Sequence, residues 1–225
     1  MSSTALVILD EIAKALSTIK ADKIRYNQHS KAIDNSKIEI KKIINEYFDY
    51  MRDQIVLTKF RGQNAREMAD NLTNWESLVK YGIDLESRRL AEIYMKGVRM
   101  VAKNSIKKAI DPIGLKANEW ASQYAAYGIK QITYDSRKAI QKIISESLKA
   151  GDSIQTIARK VMPMIGLNRK QAEDLIKLEH KLKTKGLKPD QIQLILDKYA
   201  KKALRHRAET IARTDTAIAL IQGQV

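Results

Sequence analysis

Apolar residues recur at steps of three and four along most of the chain, the spacing that places them on one face of an α-helix. The first such seam consists of Leu9, Ile12, Leu16, Ile19, Tyr26 and Ile33. The second consists of Ile40, Ile43, Ile44, Tyr47, Phe48, Met51 and Ile55. We therefore predict two helices here, separated at Asp34-Asn35-Ser36 and ended near Gly62, because polar runs and glycine interrupt helices.

Helix starts are marked by polar residues three positions apart. Ser36 and Glu39 have the spacing of a capping box, in which each side chain satisfies a free backbone N–H group, and so do Thr73 and Glu76. These pairs predict that one helix begins at Ser36 and another near Thr73.

A turn sequence, Asp111-Pro112-Ile113-Gly114, follows the third predicted helix. We place a domain boundary there, which gives an N-terminal long-helix region at residues 1–111 and a C-terminal helical domain at residues 112–225. Beyond the boundary, Ile129–Tyr134 has enough β-branched alternation for a short strand, but the helix signals on both sides favour a helix.

The C-terminal half is divided by three glycines, each followed within a few residues by a new helix start. The pairs are Gly151 with Asp152 and Gln155, Gly166 with Asn168 and Gln171, and Gly186 with Pro189. Glycine ends helices in a left-handed cap, and proline suits the first helical position because its missing N–H has no partner there. We predict an all-α fold, an elongated multi-helix assembly with short, glycine-terminated connections in this half.

Composition indicates a folded helical protein with a basic surface. Hydrophobic residues make up 44% of the 225 and charged residues 30%, with only 9 Gly and 3 Pro. The formal net charge of +15 favours a polyanionic partner, whether nucleic acid, anionic lipid or an acidic protein. The lack of cysteine excludes disulfides and thiolate metal sites. No stretch is apolar and long enough to span a membrane, so we expect an intracellular protein.

No set of residues has the spacing of a catalytic site, so we expect a binding protein and not an enzyme, with no cofactor and no metal. The three histidines are His29, His180 and His206. They are far apart, and none has the helical spacing of a zinc site. Most carboxylates have a basic residue one helical turn away. Glu209, for example, is four residues from both Arg205 and Arg213, the geometry of a surface ion pair.

Aromatic residues are the remaining candidates for recognition. They include Trp75, Trp120, Tyr124 and Tyr127, which could stack on nucleic-acid bases if they were exposed. Their helical spacing favours packing in a core or an interface, so we do not predict single-strand recognition.

The most specific pattern lies near the C-terminus. Residues 207–217 read RAETIARTDTA, and Gln222-Gly223 follows. This run resembles the signature of the phage head morphogenesis family, the minor head proteins that include the Mu F-like group, whose core is Ile-Ala-Arg-Thr-Glu followed by alanines and an Asn/Gln-Gly pair. Two upstream segments in the expected order, Gly151–Arg159 and Ile165–Ala172, extend the resemblance over about residues 115–225. Asp215 departs from the usual glutamate.

The signature has a structural interpretation. Its positions in this chain are Arg207, Glu209, Ile211, Ala212, Arg213, Thr214, Asp215 and Gly223. One helix face carries Ala208, Ile211, Ala212, Asp215 and Ile218. Small residues on that face predict close helix packing with Asp215 partly buried. A buried carboxylate needs a partner, and we expect Arg207 or Arg213 to supply it. We predict that the motif organises packing and takes no part in catalysis.

The resemblance implies a minor capsid protein of a tailed phage or prophage, located at the head interior or portal vertex of the virion and in the host cytoplasm during assembly. Such proteins act with portal and capsid components in head assembly, DNA packaging or DNA ejection. Whether the chain forms an oligomer is left open.

The basic charge fits non-specific contact with duplex DNA phosphates. Candidate contact residues are Lys181, Lys183, Lys185, Lys201, Lys202, Arg205 and Arg207. The alternative is a free-standing, sequence-nonspecific duplex DNA-binding protein. A third class, an enzyme such as a helical nuclease, would need a metal-ligand set that we do not find in the sequence.

Overall fold

The computed structural model of the chain describes residues 23–55, 62, 64–101 and 110–224. The seam at residues 9–19 lies outside them, as does the side chain of Tyr26. Within the described residues the chain forms seven α-helices and a 3-10 turn, without a strand, so the predicted all-α class is confirmed. The helices are α1 (Lys23–Gln54), α2 (Ala65–Asn71), α3 (Trp75–Val101), α4 (Ile110–Lys149), α5 (Ile154–Val161), α6 (Arg169–Thr184) and α7 (Pro189–Gln222), with the 3-10 turn at Met162–Met164.

Helix α1 runs without interruption through the position of the predicted break at Asp34-Asn35-Ser36, so that prediction is wrong. Ser36 is fully buried and its hydroxyl accepts a hydrogen bond of 3.3 Å from Lys96 of α3 instead of capping a helix. Burial of this face against α3 therefore outweighs the local turn preference. The helix also ends at Gln54, earlier than the predicted end near Gly62.

Two helix starts lie one residue away from the predicted ones. The α3 start is capped by Asn74, whose side chain accepts from the Ser77 N–H at 3.1 Å, and not by Thr73. The α5 start is capped by Ser153 in place of Asp152. The α6 start is as predicted, with a complete capping box between Asn168 and Gln171.

All three glycines predicted to end helices adopt the left-handed conformation. The φ angles are 73° at Gly151, 86° at Gly166 and 73° at Gly186. Pro189 occupies the first turn of α7, as predicted. The short, glycine-terminated connections of the C-terminal half are therefore confirmed, and they turn α5, α6 and α7 back against the earlier helices.

The predicted turn at Asp111-Pro112-Ile113-Gly114 is wrong, because these residues belong to the first turns of α4. Proline is compatible with that position, where its missing N–H would have no intrahelical partner. The same helix continues through Ile129–Tyr134, which confirms the helical alternative for that segment.

One hydrophobic core joins helices from both sides of the predicted division between residues 1–111 and 112–225. It includes Ile44 of α1, Leu90 of α3, Ile129 of α4 and Ala212 of α7, all fully buried. Helix α7 packs on α1, α3 and α6, while α4 packs on α2, α3 and α6. The carboxyl-terminal helix is thus held by the long helices of the N-terminal region.

Candidate functional site: the carboxyl-terminal helix and its basic surface

Helix α7 carries small residues where it meets the core. Ala208 and Ala212 are fully buried and Asp215 is only 8% exposed, while Ile211 and Ile218 are half-buried. The predicted packing face is therefore confirmed, including the burial of Asp215. Small side chains allow the neighbouring helices to approach closely, which brings polar groups of α3 and α4 within reach of this face.

Arg207 is buried, which excludes it from the predicted set of DNA contacts. Its guanidinium donates to the backbone oxygen of Gly166 and, at 3.0 Å, to Oδ2 of Asp135 in α4. It also lies 5.9 Å from the ring centre of Phe48. Burial lowers the pKa of Arg207 to about 10, although Asp135 opposes this change, so the group stays charged at neutral pH. Arg207 joins α7, α4, α1 and the turn before α6.

Asp215 has a different partner from the predicted arginines. Its Oδ1 accepts a hydrogen bond of 2.9 Å from the Tyr124 hydroxyl, and the Glu86 carboxyl lies beside it. Burial raises the pKa of Asp215 to about 6, against the effect of hydrogen bonds from Glu86 and Tyr124. Burial raises the pKa of Glu86 well above its usual value, and the negative charge of Asp215 adds to this effect. Both shifts favour the protonated form of the carboxyl group over the ionised one.

Three of the four candidate aromatic residues pack as predicted. Trp120 stacks on Tyr124 with ring centres 5.2 Å apart. The indole N–H of Trp75 donates to the Ala69 oxygen at 3.1 Å. Tyr127 is 56% exposed and therefore does not pack in the core of the chain.

Glu209 joins α7 to α1. Its carboxylate lies 2.5 Å from Lys41 Nζ and 3.2 Å from Lys37 Nζ. The expected ion pairs with Arg205 and Arg213 do not form, because packing of α1 on α7 places two lysines closer to the carboxylate. The hydrogen bond from Lys41 lowers the pKa of Glu209 most, and the hydrogen bond from Lys37 lowers it further.

Gly223 marks a close approach between the end of α7 and α3. A Cβ at Gly223 would collide with the backbone oxygen of Tyr94, and a Cβ at Gly97 would collide with the backbone oxygen of Leu220. The resemblance singled out Gly223, but no sequence signal pointed to Gly97. Glycine is needed at both positions because the opposing atoms belong to the backbone.

Arg213 and Thr214 are the signature residues that face outward. Both are exposed. Thr214 bonds only within its own helix, to the Thr210 oxygen at 3.0 Å, and no carboxylate of the described residues forms an ion pair with Arg213. The packing role expected for the whole motif therefore does not extend to this pair.

The other candidate DNA contacts are exposed and form two groups. Lys181, Lys183 and Lys185 lie at the end of α6, while Lys201, Lys202 and Arg205 lie on α7. The positive charge of Lys183 is partly neutralised, because its Nζ lies 2.8 Å from the Glu179 carboxylate. A groove between α1, the 3-10 turn and α7 includes Lys201 and Arg205 together with Arg52 and Arg159. Sequence reasoning missed these two arginines because they belong to other helices.

Three further observations bear on chemistry. Within the described part of the chain, no three His, Asp or Glu side chains are grouped closely enough to hold a metal ion, and none of its helices has the length and apolarity needed to cross a membrane. His180 and His206 are exposed, as predicted, and the side chain of His29 lies outside the described residues. Comparison with protein-family models, curated proteins and solved structures gives no match to this chain.

Proposed function

We propose that this chain is a minor capsid protein of a tailed phage or prophage, associated with the portal vertex and with packaged DNA. The observation that carries the proposal is the RAETIARTDTA run at residues 207–217 with Gln222-Gly223. In the fold, Arg207, Asp215 and Gly223 of this run each make a tertiary contact on which the placement of α7 depends. The motif therefore holds helices together, and such a structural role is consistent with a structural component of the head.

Contact with duplex DNA is the second part of the proposal. The net charge is +15, and the exposed cations of α6 and α7 present part of it to solvent. Lysine and arginine bind the phosphate backbone without reading sequence, and such binding weakens as salt rises. A protein beside tightly packed DNA would use contacts of this kind in packaging or ejection.

Co-expression with the portal protein encoded in the same genome tests the proposal. We expect the chain to co-elute with portal rings on size exclusion and to be found in purified heads. Absence from both would refute the assignment to the capsid.

The alternative, a free-standing duplex DNA-binding protein, rests on the same exposed cations. It requires salt-sensitive DNA binding by the isolated chain without any association with portal or heads. A gene neighbourhood lacking portal and capsid genes would also favour it.

A further inference from the structure

The groove between α1, the 3-10 turn and α7 has a volume of about 680 Å³. Its floor is formed by Phe48 of α1 and Leu204 of α7, which are 1% and 8% exposed, and Met162 and Pro163 form one wall. The accessible lining of the groove is largely apolar, and its charged groups stand around this apolar floor.

Basic residues from three parts of the chain surround this floor. They are Arg52 from α1, Arg159 from α5, and Lys201 and Arg205 from α7. The last two lie four residues apart, a rise of about 6 Å along the helix, so both point toward the same opening. Cations from separate elements converge here, although the sequence distributes basic residues almost evenly.

Three of these cations lack a negative partner. Of the two carboxylates at the groove, Asp49 accepts a hydrogen bond from Arg52 at 2.8 Å and Asp197 accepts one from Gln193 at 3.0 Å. Within the described residues, no carboxylate forms an ion pair with Arg159, Lys201 or Arg205. The groove therefore carries four positive and two negative side chains, an excess of two positive charges, which attracts an anion with several charges.

The floor of the groove is fixed by the signature arginine. Arg207 lies over Phe48 and bonds to the Gly166 oxygen, and Gly166 itself has no room for a side chain because Leu204 and Phe48 press against it. These contacts join α1, α7 and the turn before α6 beneath the groove.

We propose that this groove binds the sugar–phosphate backbone of duplex DNA, with Arg159, Lys201 and Arg205 contacting successive phosphates. The inference deepens the proposed function and rests on its DNA-binding part. Single-stranded nucleic acid fits less well, because it is usually held by exposed aromatic rings on which bases stack, and the ring of the groove, that of Phe48, is buried.

Two triple variants of equal charge test the site. The groove variant is Arg159→Gln/Lys201→Gln/Arg205→Gln. The control is Lys80→Gln/Lys116→Gln/Lys130→Gln, whose three lysines are exposed on α3 and α4 and do not line the groove. Thermal unfolding by circular dichroism verifies that both remain folded, and Arg159→Lys/Arg205→Lys should retain binding because it keeps the charges.

The measurement is the affinity for a short mixed-sequence DNA duplex as a function of salt. Each lost phosphate contact lowers the slope of log K against log salt by about 0.9. We expect the slope of the groove variant to fall in magnitude by about 2.7, and that of the control by less than about 1. Equal losses in the two variants, or wild-type binding by the groove variant, would overturn the groove and leave the proposed function standing. If the wild-type chain does not bind duplex DNA at low salt but binds a poly-glutamate peptide, both the groove proposal and the DNA-binding part of the proposed function are wrong. Association with the portal is tested separately, by co-elution.

Discussion

The hydroxyl of Tyr124 in α4 donates a hydrogen bond of 2.9 Å to Oδ1 of Asp215 in α7. Glu86 of α3 lies against the same carboxylate, and its Oε2 has no hydrogen-bond partner among the described residues. Three helices therefore meet around two buried carboxyl groups that cannot both be ionised without a large desolvation cost. This arrangement makes the packing of α7 sensitive to protonation.

The first prediction concerns the pH dependence of stability. The folded-state pKa values of Asp215, about 6, and of Glu86 lie above those of the unfolded chain. Their contribution to stability is therefore complete below the unfolded pKa values and is lost as pH rises through the folded ones. We expect a smaller free energy of unfolding at about pH 8 than at about pH 5, measured by urea denaturation.

The Glu86→Gln variant isolates this effect, because glutamine resembles the protonated carboxyl and cannot ionise. Its free energy of unfolding should depend less on pH, and at about pH 8 it should exceed that of the wild type. Glu76→Gln, at an exposed position of the same helix, is the matched control and should keep the wild-type profile. An unchanged pH slope in Glu86→Gln would contradict this account of the buried pair.

The second prediction separates the two arginines of the signature. Arg207→Ala leaves Asp135 and the Gly166 oxygen without their partner and removes the contact with Phe48, so it should cost about 3 kcal/mol. Arg213→Ala, at an exposed position, should change stability by less than about 0.5 kcal/mol. Chemical denaturation of both variants gives the comparison. Equal destabilisation would show that Arg213 has a structural partner.

The third prediction concerns the contact between α3 and the end of α7. Gly97→Ala should destabilise the fold by about 2 kcal/mol or more, because the added methyl group meets the Leu220 backbone, which cannot move aside like a side chain. Gly114→Ala is the control: its Cβ would meet no atom within 4 Å, and alanine favours the helix by about 0.5–1 kcal/mol. Equal changes in the melting temperatures of Gly97→Ala and Gly114→Ala would argue against a close approach of α3 to the end of α7.

The fourth prediction concerns Lys160, which lies between two carboxylates. Its Nζ is 2.6 Å from Asp152 and 3.0 Å from Glu179. Burial raises the pKa of each acid, but hydrogen bonds that include those from Lys160 outweigh burial and lower both. Lys160→Met should therefore cost about 2–3 kcal/mol at neutral pH. This loss should shrink as pH falls through the lowered pKa values, since protonated acids no longer need the cation.

A surface pair provides the control for Lys160. Lys142 lies 3.6 Å from Glu146, and both side chains are more exposed, so Lys142→Met should cost no more than about 0.5 kcal/mol. Urea denaturation at neutral and acidic pH distinguishes the two variants. A Lys160→Met variant as stable as Lys142→Met would mean that the cluster contributes nothing beyond an ordinary surface pair.

The sequence predicted the features that depend on neighbours a few residues away. The recurrence of apolar residues at steps of three and four indicated helices. The left-handed conformations of Gly151, Gly166 and Gly186 followed from their positions after helical patterns, and the Asn168–Gln171 capping box followed from spacing alone. The burial of Asp215 also followed, because alanines share its helix face. Backbone propensity and side-chain period act over one or two helical turns, so a linear reading can detect them.

Other features became visible only when helices distant in sequence were placed together. Lys41 and Glu209 are 168 positions apart and Tyr124 and Asp215 are 91 apart, so no spacing rule could pair them. The same holds for the convergence of Arg159 with Lys201 at one groove. Tertiary packing also carried α1 through the expected break at residues 34–36, because burying a continuous helix face stabilises the chain more than a local cap does. The sequence thus indicated most of the helical segments. The tertiary structure decided where α1 continues through an expected break, which charges are neutralised, which are buried and which remain exposed.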